Sequence, residues 1–395
     1  MKILVINSGS SSLKFSFIDT KKSFKELASG NIDGINLPSC LFIFKKNNKE
    51  ISHKILVKTH QEAAKIALDA LKKHKIIQDF AEIDAIGHRV LHGGKNYTQP
   101  TIINPKVIKT IKSLFSLGPL HNPANLTGIL ACKEILPKTP QVAIFDTAFH
   151  QTMPEKAFMY GLPYSFYKQH DIRRYGFHGT SHKYVINEAI KLLKKKNAKI
   201  ISCHLGNGSS ITASFNGKSV DTSMGLTPLE GIMMGTRSGT IDPAIIFHLE
   251  NTLHLSSNKI YEILNSKSGL LGISQISSDM RKIYAKSLKK DHLANLTIEL
   301  LSYQIAKYLG SYTSILGGIH AIIFTGGLGE KAFYVRQKSC EYLKFLGLTL
   351  DPKKNKKNDQ IISSIGSTIK VFVIPTNEEK QIAIETEKTI KSKNN

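Results

Sequence analysis

The chain has 395 residues, 41% of them apolar, and a formal charge of +24. The lysines behind that charge come in short scattered runs ("KKHK" at 72–75, "KKK" at 194–196, "KKNKK" at 353–357) with no interleaved aromatics, which argues against a nucleic-acid stripe and for solvated surface. No apolar run approaches the roughly 18–20 residues that cross a bilayer, no secretory pattern opens the chain, and Cys40, Cys132, Cys203 and Cys340 form no C-x-x-C pair, so the expectation is a cytoplasmic, two-domain protein with reduced thiols.

The first predicted element, "ILVINSGSSSLKFSF" at 3–17, is an apolar strand broken by a turn of glycine and serines, with Lys14 just beyond it. Hydroxyls, backbone N–H groups and one cation suit an anion nest, though a plain serine-rich hairpin has the same composition. A helix-like stretch at 60–74 precedes a strand in "DAIGHRVL" (84–91), where Arg89 ends an apolar run before two glycines. Only six of the 54 basic residues are arginine: Arg89, Arg173, Arg174, Arg237, Arg281 and Arg336. A chain that otherwise uses lysine is expected to place the bidentate fork where phosphate or carboxylate must be held. "PLHNP" (119–123) fixes a tight loop presenting His121 and Asn122. In "QVAIFDTAF" (141–149) Asp146 emerges at a strand end, either as a turn cap or as a working carboxylate. The loop beyond Phe149 divides the chain into domains 1–150 and 151–378, with the last helix (379–395) open to either.

In "RRYGFHGTSH" (173–182), His178 and His182 stand four residues apart. Lacking an acidic partner they make a poor zinc pair, and His178 reads better as a donor to a bound oxyanion. After a helix-like stretch at 182–196, "IISCHLGNGSSITASF" (200–215) repeats the opening pattern: strand, Gly-Ser-Ser turn, then an alternating run ending in Phe. Neither copy is a P-loop, because each turn leads into a strand and G-x-x-x-x-G-K-[ST] is absent. Two such hairpins, one opening each half, predict a nucleotide's phosphates gripped across a cleft. Arg237 lies in the glycine-flanked loop of "TPLEGIMMGTRSGTIDP" (227–243). Further on come a helix at 292–309 and strands in "AIIFTGG" (321–327) and "IKVFVIPT" (369–376). In "VIPTNEEKQIA" (373–383), Thr376 and Glu379 form a capping box, while Glu378 suits a magnesium ion approached through water. The alternation of strands and helices predicts an α/β fold with mixed sheets.

Ten motifs in one order, "NSGSSSLKF", "GHRVLHGG", "PLHNP", "DTAFHQTMP", "RYGFHGTSH", "HLGNGSS", "TPLEGIMMGTRSG", "SSDMR", "TGGLGE" and "TNEE", span residues 7–379 and resemble the acetate/propionate kinase family of the actin-like ATPase superfamily. The resemblance implies two duplicated ribonuclease H-like domains with the active site in the cleft between them. It also implies direct in-line phosphoryl transfer from ATP to acetate, giving acetyl phosphate and ADP, with Mg²⁺ (or Mn²⁺) required and a homodimer as the working form. Carried over by position, Arg89, Asp146, His178 and Arg237 do the chemistry. Asn7 and Glu378 hold the metal. Ser10, Ser12 and Lys14 shape the first phosphate hairpin, and His204, Leu205, Gly206, Asn207, Gly208 and Ser209 the second. Asp279, Met280, Arg281, Gly327, Leu328 and Gly329 surround the adenosine. Leu91, Leu120, His121, Phe177 and Pro228 join Arg89 around the acetyl group.

Acetate is already an anion and needs no general base, so Asp146 is expected to orient an arginine or a metal-bound water, with the arginines offsetting repulsion between two anions. Three positions depart from the family pattern: Leu91 where valine is usual, Thr240 where an acidic residue is common, and Lys331 in place of Asn. The extra methylene of Leu91 is expected to disfavour longer acids. A propionate kinase and a basic nucleic-acid-binding protein on an old nucleotide fold are the rival readings.

Overall fold

The computed structural model describes every residue except Asn48, Leu120 and Asn395. Two compact units form, Met1–Phe149 with Asn377–Asn395, and His150–Thr376.

The first unit is built on an eight-stranded sheet of β1 (Lys2–Ser8), β2 (Ser12–Asp19), β3 (Lys25–Asp33), β4 (Cys40–Lys46), β5 (Lys49–Ile55), β6 (Ala85–Val90), β7 (Thr101–Ile102) and β8 (Gln141–Phe145), in the order β5-β4-β3-β2-β1-β6-β8-β7. Strands β1 to β5 run as an antiparallel meander, whereas β1, β6 and β8 are parallel neighbours. Successive residues of a strand face opposite sides, and both sides of β1 are covered. Leu4 and Ile6 join the core under helices His60–Lys73 and Asn122–Ile135. Ile3 and Val5 pack with Ile382 and Ala383 of helix Glu378–Asn394. A strand buried on both faces reads as a continuous apolar run, which is why "ILVI" shows no alternation.

Gly87 decides how near that last helix can come. A Cβ at Gly87 would lie 2.4 Å from Thr386 Oγ1 and 2.7 Å from Ile382 Cγ2, so only glycine allows the contact. Arg89 is two residues further along β6 and shares its face, which aims the helix's first residue, Glu378, towards it. The cap of this helix differs from expectation. The Asn377 side chain accepts from Lys380 N at 2.8 Å, and the Thr376 hydroxyl is engaged by Ser181 instead. The helix starts one residue later than a Thr376 cap requires.

The second unit carries a five-stranded sheet of β9 (Lys199–Leu205), β10 (Ser209–Phe215), β11 (Lys218–Thr222), β12 (Ala321–Thr325) and β13 (Lys370–Val373), ordered β11-β10-β9-β12-β13. It repeats the β3-β2-β1-β6-β8 pattern of the first: a three-strand antiparallel meander whose last-placed strand continues into two parallel neighbours. One face of β9 and β10 (Ile201, Cys203, Leu205, Ile211, Ala213) enters the core with helix His292–Ile315. The other face is polar. Ser202, His204, Ser210, Thr212 and Ser214 alternate along the same strands, and helix Gly179–Leu193 hydrogen-bonds to three of them, His182 to Ser202 and Ser210 and Ser181 to His204. All four cysteines are buried thiols. Among the described residues no helix is long and apolar enough to cross a membrane.

Candidate active site

In the first unit, the parallel pairing of β6 and β8 sets Arg89 opposite Ile144 and Val90 opposite Phe145. Asp146 is then fixed by its own N–H, which donates to Val90 O at 2.9 Å. Its carboxylate, 1% exposed, accepts from Arg89 Nε at 3.2 and 3.1 Å and from Nη2 at 2.7 Å. One edge of the guanidinium is thereby locked, and among the described residues Nη1 has no hydrogen-bond partner. Burial opposes the charge of Arg89, but Asp146, Glu378 and Glu379 outweigh it and hold the group well above arginine's ordinary pKa. Glu378 is displaced upward as well. Burial penalises its ionised form, and Asp146 and Glu379 add to that against Arg89 and Lys14. Lys14, which stands opposite Asn7 in the β1–β2 register, forms an ion pair with Glu379. Asn7, Lys14, Arg89 and the first turn of the last helix therefore share one end of the sheet.

The turn between β1 and β2 is pinned from outside. Gly9 N donates to Ser12 O at 2.8 Å, and His60 Nε2 donates to Gly9 O at 2.7 Å. Asn125 links two strand ends, donating to Ser8 O at 2.7 Å and accepting from Leu91 N at 3.0 Å. Sequence reading missed His60 and Asn125 because each acts on backbone atoms, which leaves no motif. Asn122 of "PLHNP" is wholly buried and clamps the backbone of His92, accepting at 3.0 Å and donating at 3.2 Å. His121 begins the following helix; Leu120 lies outside the described residues.

Among the described residues, no group of three or more His, Cys, Asp or Glu side chains is poised for a metal. The chemistry of this end still fits Mg²⁺. Asn7 and Glu378 offer hard oxygen donors, few carboxylates are needed when phosphate oxygens and water complete the shell, and the excess negative charge felt by Glu378 is relieved by a cation.

In the second unit, two cationic or donor groups converge on the turn between β9 and β10. A Cβ at Gly208 would lie 3.3 Å from His178 Nε2 and 3.6 Å from Arg237 Nη1. His178 has a left-handed backbone (φ 55°) and begins helix Gly179–Leu193, a conformation uncommon outside glycine. The Arg237 guanidinium donates to Pro228 O at 2.8 Å. No carboxylate pairs with it among the described residues, and burial lowers its pKa. Phe177 is fully buried, and its carbonyl accepts from His150 Nε2 at 2.9 Å.

Beside the same turn lies a cavity of about 690 Å³. It brings together Gly206, Asn207, Asp279, Met280, Arg281, Gly327 and Leu328 of the predicted adenosine and phosphate residues, with Lys331 also on its wall. The predicted His204, Leu205, Gly208, Ser209 and Gly329 are not on that wall. Aromatic residues complete it: the rings of Tyr284 and Tyr334 stack at 3.7 Å and 4°, and Phe333 meets Tyr334 edge-on. Asp279 and Arg281 are first of all partners, joined by a fork of 3.0 and 2.7 Å while Asp279 caps helix Met280–Ser287. Ser10, Ser12 and Lys14 belong to the hairpin of the other unit.

A model of the acetokinase family matches residues 2–384. The chain belongs to the acetokinase family. Among its relatives, the acetate kinase of Thermoanaerobacterium thermosaccharolyticum is 49% identical over 399 residues, covering 99% of this chain and 100% of that one. The crystal structure of Porphyromonas gingivalis acetate kinase superposes with a TM-score of 0.92 at 40% identity, covering 98% and 99% of the two chains. That of a propionate kinase from Francisella tularensis gives 0.93 at 43%, with the same coverage. This acetokinase is accordingly a kinase, an ATP-using phosphotransferase of the actin-like ATPase fold. Of the positions where this acetokinase departs from the family pattern, Leu91 is buried, and its Cδ2 would stand 2.9 Å from a Cβ at Gly118. Thr240 closes its own loop, bonding both ways with Gly231 at 2.8 and 3.0 Å.

Proposed function

We propose that this acetokinase transfers the γ-phosphoryl group of ATP to acetate in one in-line step. A carboxylate oxygen of acetate bonds to the γ-phosphorus as the bridge to the β-phosphate breaks, leaving acetyl phosphate and ADP. The observation that carries this reading is the pair of guanidinium groups kept available for anions: Arg89, with one edge locked and the other open, and Arg237, half-buried and bonded to a carbonyl. Two anions must meet in this reaction, so fixed positive charge aimed at the equatorial oxygens is its main requirement. His178 Nε2 adds a donor to the same oxygens, and Asp146 orients Arg89 rather than accepting a proton. Asn7 and Glu378 would hold Mg²⁺, which when bound neutralises charge on the phosphate oxygens. The cavity beside Asn207 and Gly327 takes the nucleoside, and closure around the nucleotide excludes water from the acyl phosphate.

The choice of acid rests on Leu91. Buried beside Gly118, it carries one methylene more than valine. Leu91→Val is expected to move the kcat/KM ratio of propionate to acetate upward by roughly 10-fold or more, the worth of a methylene. Trapping acyl phosphates with hydroxylamine across formate, acetate, propionate and butyrate tests both the reaction and this preference. Failure to form acetyl hydroxamate from ATP and acetate overturns the reading.

We infer a homodimer as the working form, with helix Ala244–Asn251 as its contact. Nothing on this helix is buried, and it exposes Ile245, Ile246 and Phe247. It lies within residues 219–258, which contain no lysine in a chain of 48 (54 basic residues less six arginines). Two copies of a strongly cationic chain are least repelled where lysine is absent. Light scattering should give about twice 43.8 kDa for the wild type and the single mass for Phe247→Glu; a monomeric wild type removes the inference.

A further inference from the structure

Three buried side chains behind His178 form a line that the chemistry above does not use. His178 Nδ1 lies 2.9 Å from Ser210 Oγ. The same oxygen lies 2.7 Å from His182 Nε2, and His182 Nδ1 lies 2.7 Å from Ser202 Oγ. Ser202, Ser210 and His182 are each 0% exposed. Strand register explains the alignment. Ser202 and His204 face one side of β9, Ser210 sits opposite His204 on β10, and His182 descends on them from the first turn of helix Gly179–Leu193.

Proton counting gives the line a direction. A hydroxyl donates one hydrogen, and a neutral imidazole carries one N–H. Suppose Ser202 O–H donates to His182 Nδ1. Then His182 Nε2–H donates to Ser210 Oγ, and Ser210 O–H donates to His178 Nδ1, so that every buried hydrogen has an acceptor. In the reverse direction His182 Nδ1–H points at Ser202. The hydroxyl hydrogen of Ser202 then loses the acceptor that the line provides, and a buried donor left unpaired is penalised. His182 is suited to the neutral role: burial first, then the nearby His150 and His204, depress its pKa well below the usual histidine range. His150 is oriented separately, since its Nε2 donates to Phe177 O and its Nδ1 faces Ser219 Oγ at 3.0 Å.

We propose that His182 is a positioning residue: acting through Ser210, it holds neutral His178 in the tautomer whose hydrogen is on Nε2. That nitrogen is the one directed with Arg237 towards Gly208, so His178 can donate to a phosphoryl oxygen without being protonated. The charged or titratable groups near His178 include Arg237 from the 231–240 loop, His204 from β9 at a ring separation of 4.4 Å, and His182 from its own helix. Arg237 and a phosphate oppose each other in their effect on a proton at His178, so a fixed neutral donor avoids dependence on that balance. The inference rests on the phosphoryl-transfer reading only for its benefit to turnover; the tautomer itself is independent of the reaction.

Ser210→Ala is the deciding variant, because it breaks the line with the loss of one oxygen. Nitrogen-15 NMR of the imidazoles should find the hydrogen of His178 on Nε2 in the wild type and on Nδ1, or divided between the two, in Ser210→Ala. In the variant, kcat at pH 8 should fall about 10-fold and recover as pH drops below roughly 6.5, where imidazolium carries both hydrogens. His182→Gln keeps an amide donor near the Nε2 position and should retain more activity than His182→Asn, whose amide sits near Nδ1. An Nδ1–H tautomer in the wild type, or an unchanged Nε2–H tautomer in Ser210→Ala, overturns the proposal whatever the activity. So does a loss of kcat in Ser210→Ala that is equal at every pH. Wild-type protein that shows the Nε2 tautomer yet makes no acyl phosphate would instead count against the proposed reaction.

Discussion

Arg89→Lys is expected to lower kcat by on the order of 10³-fold, the scale of an arginine that stabilises a transferring phosphoryl group. Lysine keeps the charge, but Asp146 is an almost fully enclosed carboxylate that now engages Nε and Nη2 together. A single ammonium drawn into that contact has no second edge to present to a phosphate. On the proposed reading, the wild-type guanidinium meets both demands at once. Arg237→Lys should lose a similar factor for another reason. Its guanidinium bonds to Pro228 O and reaches the space beside Gly208, and the shorter reach of one ammonium cannot do both. If both groups serve one phosphoryl group, the double variant should lose much less than the product of the two factors. Single-turnover rates with saturating ATP and acetate decide the matter. Near-normal rates in both single variants would mean that charge alone suffices.

Glu378→Gln should raise stability and remove activity together. The carboxyl has a folded pKa above its ordinary value because burial, Asp146 and Glu379 disfavour the anion. A carboxyl of that kind favours the fold while protonated, below its ordinary range, and the contribution is lost as pH rises through the raised value. At pH 7–8 the anion is a liability that glutamine lacks, so the variant should melt higher in the absence of nucleotide. The difference should shrink as pH falls through the raised pKa towards 4.5, the group's ordinary value. Turnover should drop at least on the order of 10²-fold, because the charge of a bound metal is worth several kcal/mol in such a step. Thermal melts at pH 8 and pH 4.5, with and without Mg²⁺ and ADP, test this. A Glu378→Gln protein that melts lower at pH 8 contradicts the electrostatic argument; one that retains full turnover contradicts the metal assignment. If both outcomes hold, Glu378 is a position where stability is given up for cation binding.

The parts of this fold that were legible in sequence are those buried on both faces. β1 reads as an apolar run, and the β1–β2 and β9–β10 hairpins are both marked by a Gly-Ser-Ser turn. Their shared pattern became two sheets with the same strand order. The region from Lys25 to Ile55 held three strands that gave no comparable signal; β5 is exposed along almost its whole length and has no period to read. Helix Gly179–Leu193 begins before the predicted 182, since its first turn is the polar "GTSH", invisible to an apolar template. The arginines were found because they are rare. In sequence, His182 reads only as half of a poor zinc pair with His178. Its partners were present as period-two serines in "ISCHL" and "SSITASF", but a polar strand face reads as solvent-exposed until a helix is known to cover it.

The last helix packs on Gly87 and completes the core of the first unit, while the residues between Phe149 and Asn377 form the second. During synthesis, then, the opening 149 residues leave the ribosome long before the segment that covers Ile3, Val5 and Val142 exists. The portion made later can finish folding sooner, and the earlier one must wait with an apolar sheet face uncovered until the final residues emerge. Chaperone demand should therefore be greatest for nascent chains stalled just short of Asn377.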